Sequence, residues 1–249
     1  MKLSKETRNT IRLHEEVIMD YFIISLLFIP VVIFTTIASI RVKTTFKKYN
    51  KVHSARGLTG AQAAQHVLYA NGVSDVHINQ ITGTLTDYYN PADNSLNLSA
   101  DVYYGTSVAA IGVACHEAGH ALQYANSYLP IKIRAAIIPI TNFGAKFSGL
   151  LITGGLVFAS FGWTPLLILA EIGLVLFGFS TAFQLITLPT EFNASSRAIR
   201  CISASNILLP TEIKDAKKVL RAAAMTYIAA LAVSLLQLLR LISIVKSRD

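Results

Sequence analysis

Four stretches of this chain are each long and apolar enough to cross a lipid bilayer. They cover 21–40, about 137–160, 165–188 and 222–245. The first holds no charged residue over its whole length, and about twenty apolar residues suffice to cross the hydrocarbon core as a helix. Lipid offers no partner to backbone N–H and C=O groups, so runs like these are helices. "SFGWTP" (160–165) separates the second and third runs. It reads as a tight turn with Trp163 at the membrane–water interface. With 53% hydrophobic residues, 14% charged residues and a mean hydropathy of +0.49, the chain is too apolar for an ordinary soluble domain. The expected fold class is an α-helical membrane protein with about four transmembrane helices. Only 41–134 and 189–221 remain to build a small domain outside the lipid, after an N-terminal extension over 1–20.

The distribution of charge orients these helices. Arg41, Lys43, Lys47, Lys48, Lys51 and Arg56 follow the first run, and Lys132 and Arg134 precede the second. Arg197, Arg200, Lys214, Lys217, Lys218 and Arg221 lie between the third and fourth. The opposite side carries Lys2, Lys5, Arg8, Arg12, Lys246 and Arg248. The positive-inside rule places 41–134 and 189–221 in the cytoplasm and both termini outside. The net charge of +8 is thus explained by membrane orientation. No nucleic-acid motif accompanies it, and nucleic acid is not an expected partner. Cys115 and Cys201 form no CxxC pair. Glu171 and Arg240 fall within the third and fourth runs, where they can pair or Arg240 can snorkel outward.

Within 41–134, "LTGAQAAQHVLYANG" (58–72) reads as a helix with Thr59 as N-cap and Asn71-Gly72 at its end. Residues 76–99 alternate apolar and polar side chains, predicting two or three short strands with a turn at 90–94. Residues 101–125 read as one helix, capped by Ser99 or Asp101.

That last helix carries "ACHEAGHALQ" (114–123). His116 and His120 are four residues apart, on one helical face. Two imidazoles so placed can hold one zinc ion, and Glu117 can act as general base toward a water that the ion activates. Ala114, Ala118, Ala121 and Leu122 make the surroundings apolar. Burying two histidines and a glutamate there without a role is costly.

A third ligand is required. No histidine follows His120, so a downstream histidine cannot supply it. His14 is expected outside, His53 and His66 on the surface, and His77 on a strand, where it remains a candidate. Asp75, Asp87, Asp93 and Asp101 precede the motif, and Glu212 and Asp215 lie in a charged, solvated stretch. Glu191 follows the third run by three residues, in "TLPTEFNASSRAIR". The second and third runs form a hairpin, 137–188, that returns the chain to the side of His116 and His120. Topology therefore delivers Glu191 to the metal, with Ala194 and Ser195 on its helical face.

"GLTGAQAAQHVLYANGV", "GTLTDYYNPADNSLNLSADVYYGTSVAAIGVACHEAGHALQ", "LPTEFNASSRA" and "AKKVLRAAAMTYIAALAVSLLQLLR" together resemble the bacterial neutral zinc metallopeptidases of the YugP type. The resemblance covers about 22–248. More distantly, the layout is similar to the HtpX and Ste24 membrane proteases, which also pair HExxH with a later glutamate. The resemblance implies a zincin-like α+β catalytic domain, one zinc ion per chain and Glu191 as third ligand. It also implies protein or peptide substrates and a location in the bacterial plasma membrane. The family's usual Asp-His-Tyr-Asp-Pro reads here as "DYYNP" (87–91).

The predicted strand near 84–88 is expected to pair with an extended substrate. Tyr88, His77 and Arg197 are candidates for stabilising the transition state, and Ser195 for orienting a ligand. The chemistry implied is zinc-dependent endopeptidase activity. The alternative is a catalytically silent zinc-binding membrane scaffold or regulatory protein, against which the intact Glu117 argues.

Overall fold

The computed structural model describes residues 5–246, with side chains described at Ile23 and from Leu26 onward. Residues 1–4, 247–249 and the side chain of His14 lie outside the described residues, so the expectations about the N-terminal extension are not addressed by it. The elements are α1 (Lys5–Tyr49), α2 (Gly60–Ala70), β1 (His77–Ile81), β2 (Tyr88–Asn90), β3 (Ser95–Ser99), α3 (Ala100–Tyr103), α4 (Val108–Ala125), α5 (Leu129–Ser160), a 3-10 turn (Thr164–Leu166), α6 (Leu167–Ala204) and α7 (Pro210–Lys246). Four helical stretches are long and apolar enough to cross a membrane: Leu26–Tyr49, Leu129–Ser160, Thr164–Ala204 and Pro210–Lys246. Each extends beyond the apolar run expected from the sequence. Apolarity sets which part can lie in lipid, but backbone hydrogen bonding continues until a cap or turn ends it.

Two compact units make up the chain. The first comprises Met1–Thr36, Ala136–Leu185 and Ala229–Asp249. Small residues bring α5 and α6 together in it: a Cβ on Gly155 would meet the Ala170 nitrogen at 2.6 Å, so only glycine permits this approach. Thr181 and Ser234 share a buried hydrogen bond of 2.8 Å between α6 and α7. The Arg240 guanidinium lies over the Phe28 ring, 5.5 Å from its centroid. Leu27, Leu150, Val175 and Leu235 are exposed, as lipid-facing side chains are.

The second unit comprises Ile37–Ala135 and Ile186–Ile228. Its sheet has the order β1-β3-β2, with β1 parallel and β2 antiparallel to β3. All five β3 residues are buried, while β1 and β2 form the edges. The turn at 91–94 is held by a 2.7 Å hydrogen bond from the Tyr89 hydroxyl to Asn94 Oδ1. Leu96 and Leu98 of β3 join Val67, Leu68, Val102, Val108, Ile111, Leu122, Ile202 and Ile207 in one core. Each fully buried leucine there contributes roughly 1.5–3 kcal/mol relative to exposure.

Thr59 caps α2 through a reciprocal capping box with Gln62. The single helix expected over 101–125 is instead two. Gly105 and Thr106 interrupt it, and Ser107 caps α4 by accepting from the Ala110 N–H at 3.0 Å. The strand expected near 84–88 is also shorter than predicted. Residues 82–85 bend, with Leu85 at φ 56°, and pairing begins only at Tyr88.

Candidate metal centre

The second unit gathers the site from α4, the start of α5, α6 and α7. Their separation along the helix sets the two histidine rings of α4 edge-to-face, with centroids 4.9 Å apart. Both Nε2 atoms turn toward one oxygen of Glu191 on α6. His116 Nε2 is 3.2 Å and His120 Nε2 3.4 Å from Glu191 Oε2. Glu191 is 3% exposed. It lies three residues beyond the apolar run 165–188, on the same helix. Helix α6 runs unbroken through Pro189, and the Thr190 hydroxyl donates to the Ile186 carbonyl at 3.0 Å beside that proline. The carboxylate therefore sits on a rigid element.

Close approach of α4 to α6 makes this convergence possible. A Cβ on Gly119 would lie 2.6 Å from the Ala194 carbonyl oxygen. No other residue fits between the two ligand-bearing backbones at this spacing.

The hydrogen bonds behind His120 determine which of its nitrogens faces the cluster. Arg197 Nε can only donate, and it donates to Asn193 Oδ1 at 2.7 Å. That oxygen also accepts from Gln123 Nε2 at 3.0 Å, and the same amide donates to the Thr190 carbonyl at 2.8 Å. Gln123 Oε1 is thus left as the acceptor for His120 Nδ1, 3.0 Å away. Nδ1 carries the proton, so neutral His120 presents an Nε2 lone pair to Glu191 Oε2. Two lone pairs that face each other repel unless a cation lies between them. A proton can fill that role, and so can a metal. For His120, burial opposes the charged form, but the hydrogen bond to Glu191 and the charges of Glu117 and Glu191 outweigh it and raise the pKa. The cluster holds positive charge well.

Zinc fits this donor set. Ligands about 2.0–2.1 Å from a tetrahedral ion lie about 3.3 Å from one another, which brackets with the 3.2 and 3.4 Å separations observed. His116, His120 and Glu191 form the one group of three or more His, Cys, Asp or Glu suited to a metal ion among the described residues, all ligand atoms lying within 4.8 Å of one another. Behind the ligands, Ser195 Oγ is 3.0 Å from His116 Nδ1. Arg134 Nη1 lies 3.4 Å from Glu191 Oε1, the oxygen turned away from the histidines.

Glu117 follows His116 on α4. With His116, Asp87 and Tyr227 it lines a cavity of about 850 Å³ whose walls also include Val42, Phe46, Val113 and Leu220. Burial raises the Glu117 pKa, against the lowering effect of the two histidines. A carboxylate so placed takes up a proton readily.

The other sequence candidates lie elsewhere. Tyr88 is 48% exposed on β2, and His77 is exposed on β1. Neither lines the cavity. Arg197 acts through Asn193 and Gln123 and makes no contact with the ligands. His53 and His66 are exposed. Asp87 is tied to Ser99, accepting from its N–H at 2.7 Å and its hydroxyl at 3.0 Å. Sequence reasoning did not find Gln123, Arg134 or Tyr227. Gln123 has a signal, a polar residue one turn beyond His120 on the ligand face. Arg134 reads as a topological charge. Tyr227 lies inside an apolar run, where a tyrosine reads as an interfacial anchor.

A family described as "Putative neutral zinc metallopeptidase" matches residues 24–246. A protein of Bacillus subtilis (strain 168), "Putative membrane protease YugP", is 45% identical over 207 residues, covering 83% of this chain and 89% of that protein. No solved structure matches the chain. With a family match over nearly its whole length and a relative this similar, the chain belongs to the neutral zinc metallopeptidase family.

Proposed function

We propose that this protein is a membrane-embedded, zinc-dependent endopeptidase acting on membrane or juxtamembrane proteins. His116, His120 and Glu191 hold one zinc ion, and Glu117 is the general base. The observation that carries this reading is the placement of Glu117 next to His116 of the His116–His120–Glu191 cluster, the two lining one cavity. A protein that only stored zinc would need the ligands, but not a carboxylate facing the space a substrate would fill.

When bound, zinc supplies Lewis-acid chemistry, lowering the pKa of a water toward 7 and polarising a carbonyl. Glu117 accepts the proton released as water adds to the peptide carbonyl carbon. It delivers that proton to the amine nitrogen as the C–N bond breaks. Tyr227 lines the cavity together with Glu117. Its hydroxyl donates to the carbonyl oxygen as negative charge gathers there. Ser195 and Gln123 hold the imidazoles in register. Residues 84, 85 and 87 reach the cavity, so this bend, rather than a strand, meets the substrate.

In this reading 41–134 and 189–221 form the catalytic part on the cytoplasmic side of the plasma membrane. The 21–40, 137–188 and 222–245 segments cross the bilayer. The excess of Lys and Arg in 41–134 and 189–221 supports that orientation.

The test is zinc content and peptide cleavage of the detergent-purified protein, beside Glu117→Gln and Glu191→Ala. Wild type should hold about one zinc per chain and cleave. Glu117→Gln should keep the metal and lose turnover, and Glu191→Ala should lose the metal. Zinc binding with no cleavage by wild type, and no change on Glu117→Gln, would favour the scaffold reading.

A further inference from the structure

Outside the metal centre, a second cleft in the same unit has a different chemical character. It has a volume of about 400 Å³ and lies where the end of α1 faces the start of α7. Arg41, Thr45, Lys48 and Tyr49 line it from α1, at positions i, i+4, i+7 and i+8. Lys218, Arg221, Ala222 and Met225 line it from α7, at i, i+3, i+4 and i+7. Both sets follow helical periodicity, so each helix turns one face to the same space. Four cationic side chains share that space, and no carboxylate is among the lining residues. Of the four, Lys218 has a carboxylate partner in Asp215, with Nζ 2.8 Å from Oδ1.

Like charges in one cleft repel, and the fold restrains them there. Both lysines lie over the buried Tyr49 ring, with Lys48 Nζ 5.4 Å and Lys218 Nζ 5.5 Å from its centroid. Ammonium groups at that range are attracted by the ring face. The arrangement concentrates positive potential around a volume that would hold roughly a dozen waters, more than a single bound ion requires. Arg41 directly follows the first apolar run, and Arg221 directly precedes the fourth. In a chain inserted by those runs, both residues lie at headgroup depth.

We propose that this cleft binds the phosphate-bearing headgroup of an anionic phospholipid. The guanidinium groups of Arg41 and Arg221 suit phosphate oxygens in bidentate fashion. The lysines add point charges, and Ala222 and Met225 supply an apolar edge for the glycerol region. A free phosphate would use the cations but has no need of that edge. The site depends on membrane insertion but not on zinc or on peptidase activity.

The full chain, purified in neutral detergent, is melted in mixed micelles containing phosphatidylglycerol, phosphatidylcholine or inorganic phosphate. Phosphatidylglycerol should stabilise wild type where phosphatidylcholine and phosphate at equal concentration do not. Lys48→Gln/Arg221→Gln should weaken the apparent lipid affinity by roughly thirtyfold, with zinc content unchanged. Lys132→Gln/Arg200→Gln removes the same charge elsewhere and should leave the affinity within a few-fold of wild type. The swap Lys48→Arg/Arg221→Lys should retain most of it. Independently of any variant, native mass spectrometry of wild type should retain phosphatidylglycerol under conditions that strip phosphatidylcholine. Equal retention of the two lipids overturns the proposal, as does equal stabilisation by phosphate. So does an equal loss in the Lys132/Arg200 pair, which would make the effect one of diffuse surface charge. Loss of cleavage with lipid binding intact would concern the peptidase reading alone.

Discussion

Gly119→Ala inserts one methyl group between the two helices that carry His116, His120 and Glu191, the proposed metal ligands. The new Cβ would stand 2.6 Å from the Ala194 carbonyl oxygen and 3.3 Å from the Ala194 Cα. Ordinary contact begins at about 3.4 Å, so α4 and α6 must separate by roughly 0.8 Å. The obstacle is backbone, which cannot rotate away as a side chain would. His116 and His120 move with α4 and Glu191 with α6. The N···O separations of 3.2 and 3.4 Å therefore open by a comparable amount, whereas metal–ligand distances tolerate only about 0.2 Å. The expected result is a loss of zinc affinity of roughly 10–100-fold, with a destabilisation of about 1–3 kcal/mol from overpacking. Gly112→Ala on the same helix is the control. Its Cβ would meet the Ala216 Cβ at 3.5 Å, an ordinary contact. Alanine is a better helix former than glycine, so stability should hold or rise by up to about 1 kcal/mol. The assay is zinc competition against a chromophoric chelator, with thermal melting of the same samples. Wild-type zinc affinity and melting temperature in Gly119→Ala would refute the claim that this glycine sets the geometry of the centre.

Gln123→Ala removes the amide that holds His120 Nδ1 and bridges to Thr190 and Asn193. Zinc affinity should fall roughly 10–100-fold, and unchanged affinity in the chelator titration would contradict the relay from Arg197. Tyr227→Phe should lower kcat by roughly 10²–10³-fold with KM and zinc content near wild type. A change in KM alone would point to a binding role. The Asp87 pKa is raised by burial, only partly offset by its hydrogen bonds from Ser99. A carboxyl whose folded pKa exceeds its unfolded value binds its proton more tightly when folded. Its stabilising contribution is full below about pH 3.9 and is lost as pH rises through the raised value. Asp87→Asn should therefore gain melting temperature relative to wild type as pH rises past the ordinary carboxylate range. Parallel melting curves for the two proteins between about pH 4 and 7 would show that Asp87 does not titrate this way.

What the sequence determined by itself was whatever has a short period or a local cause. Apolar runs of bilayer length announce four long helices, because lipid leaves the backbone no other partner. The spacing of His116 and His120 places both rings on one helical face. Thr59 and Gln62 announce their capping box. Glu191 was within reach because a hairpin must return the chain to the side it left. Tertiary structure decided the rest. The break at Gly105 and Thr106 was hidden because both flanks are helical, and the Ser107 cap outweighs continuity. Gln123, Arg134 and Tyr227 come from three different helices and meet at the centre only after packing. Their residue types carry no period, and a glutamine, an arginine and a tyrosine all have commoner roles on helix surfaces. Even the tautomer of His120 depends on Arg197, 77 residues away in the chain. A hydrogen-bond relay takes its direction from its one obligate donor, and only the fold determines where that donor sits.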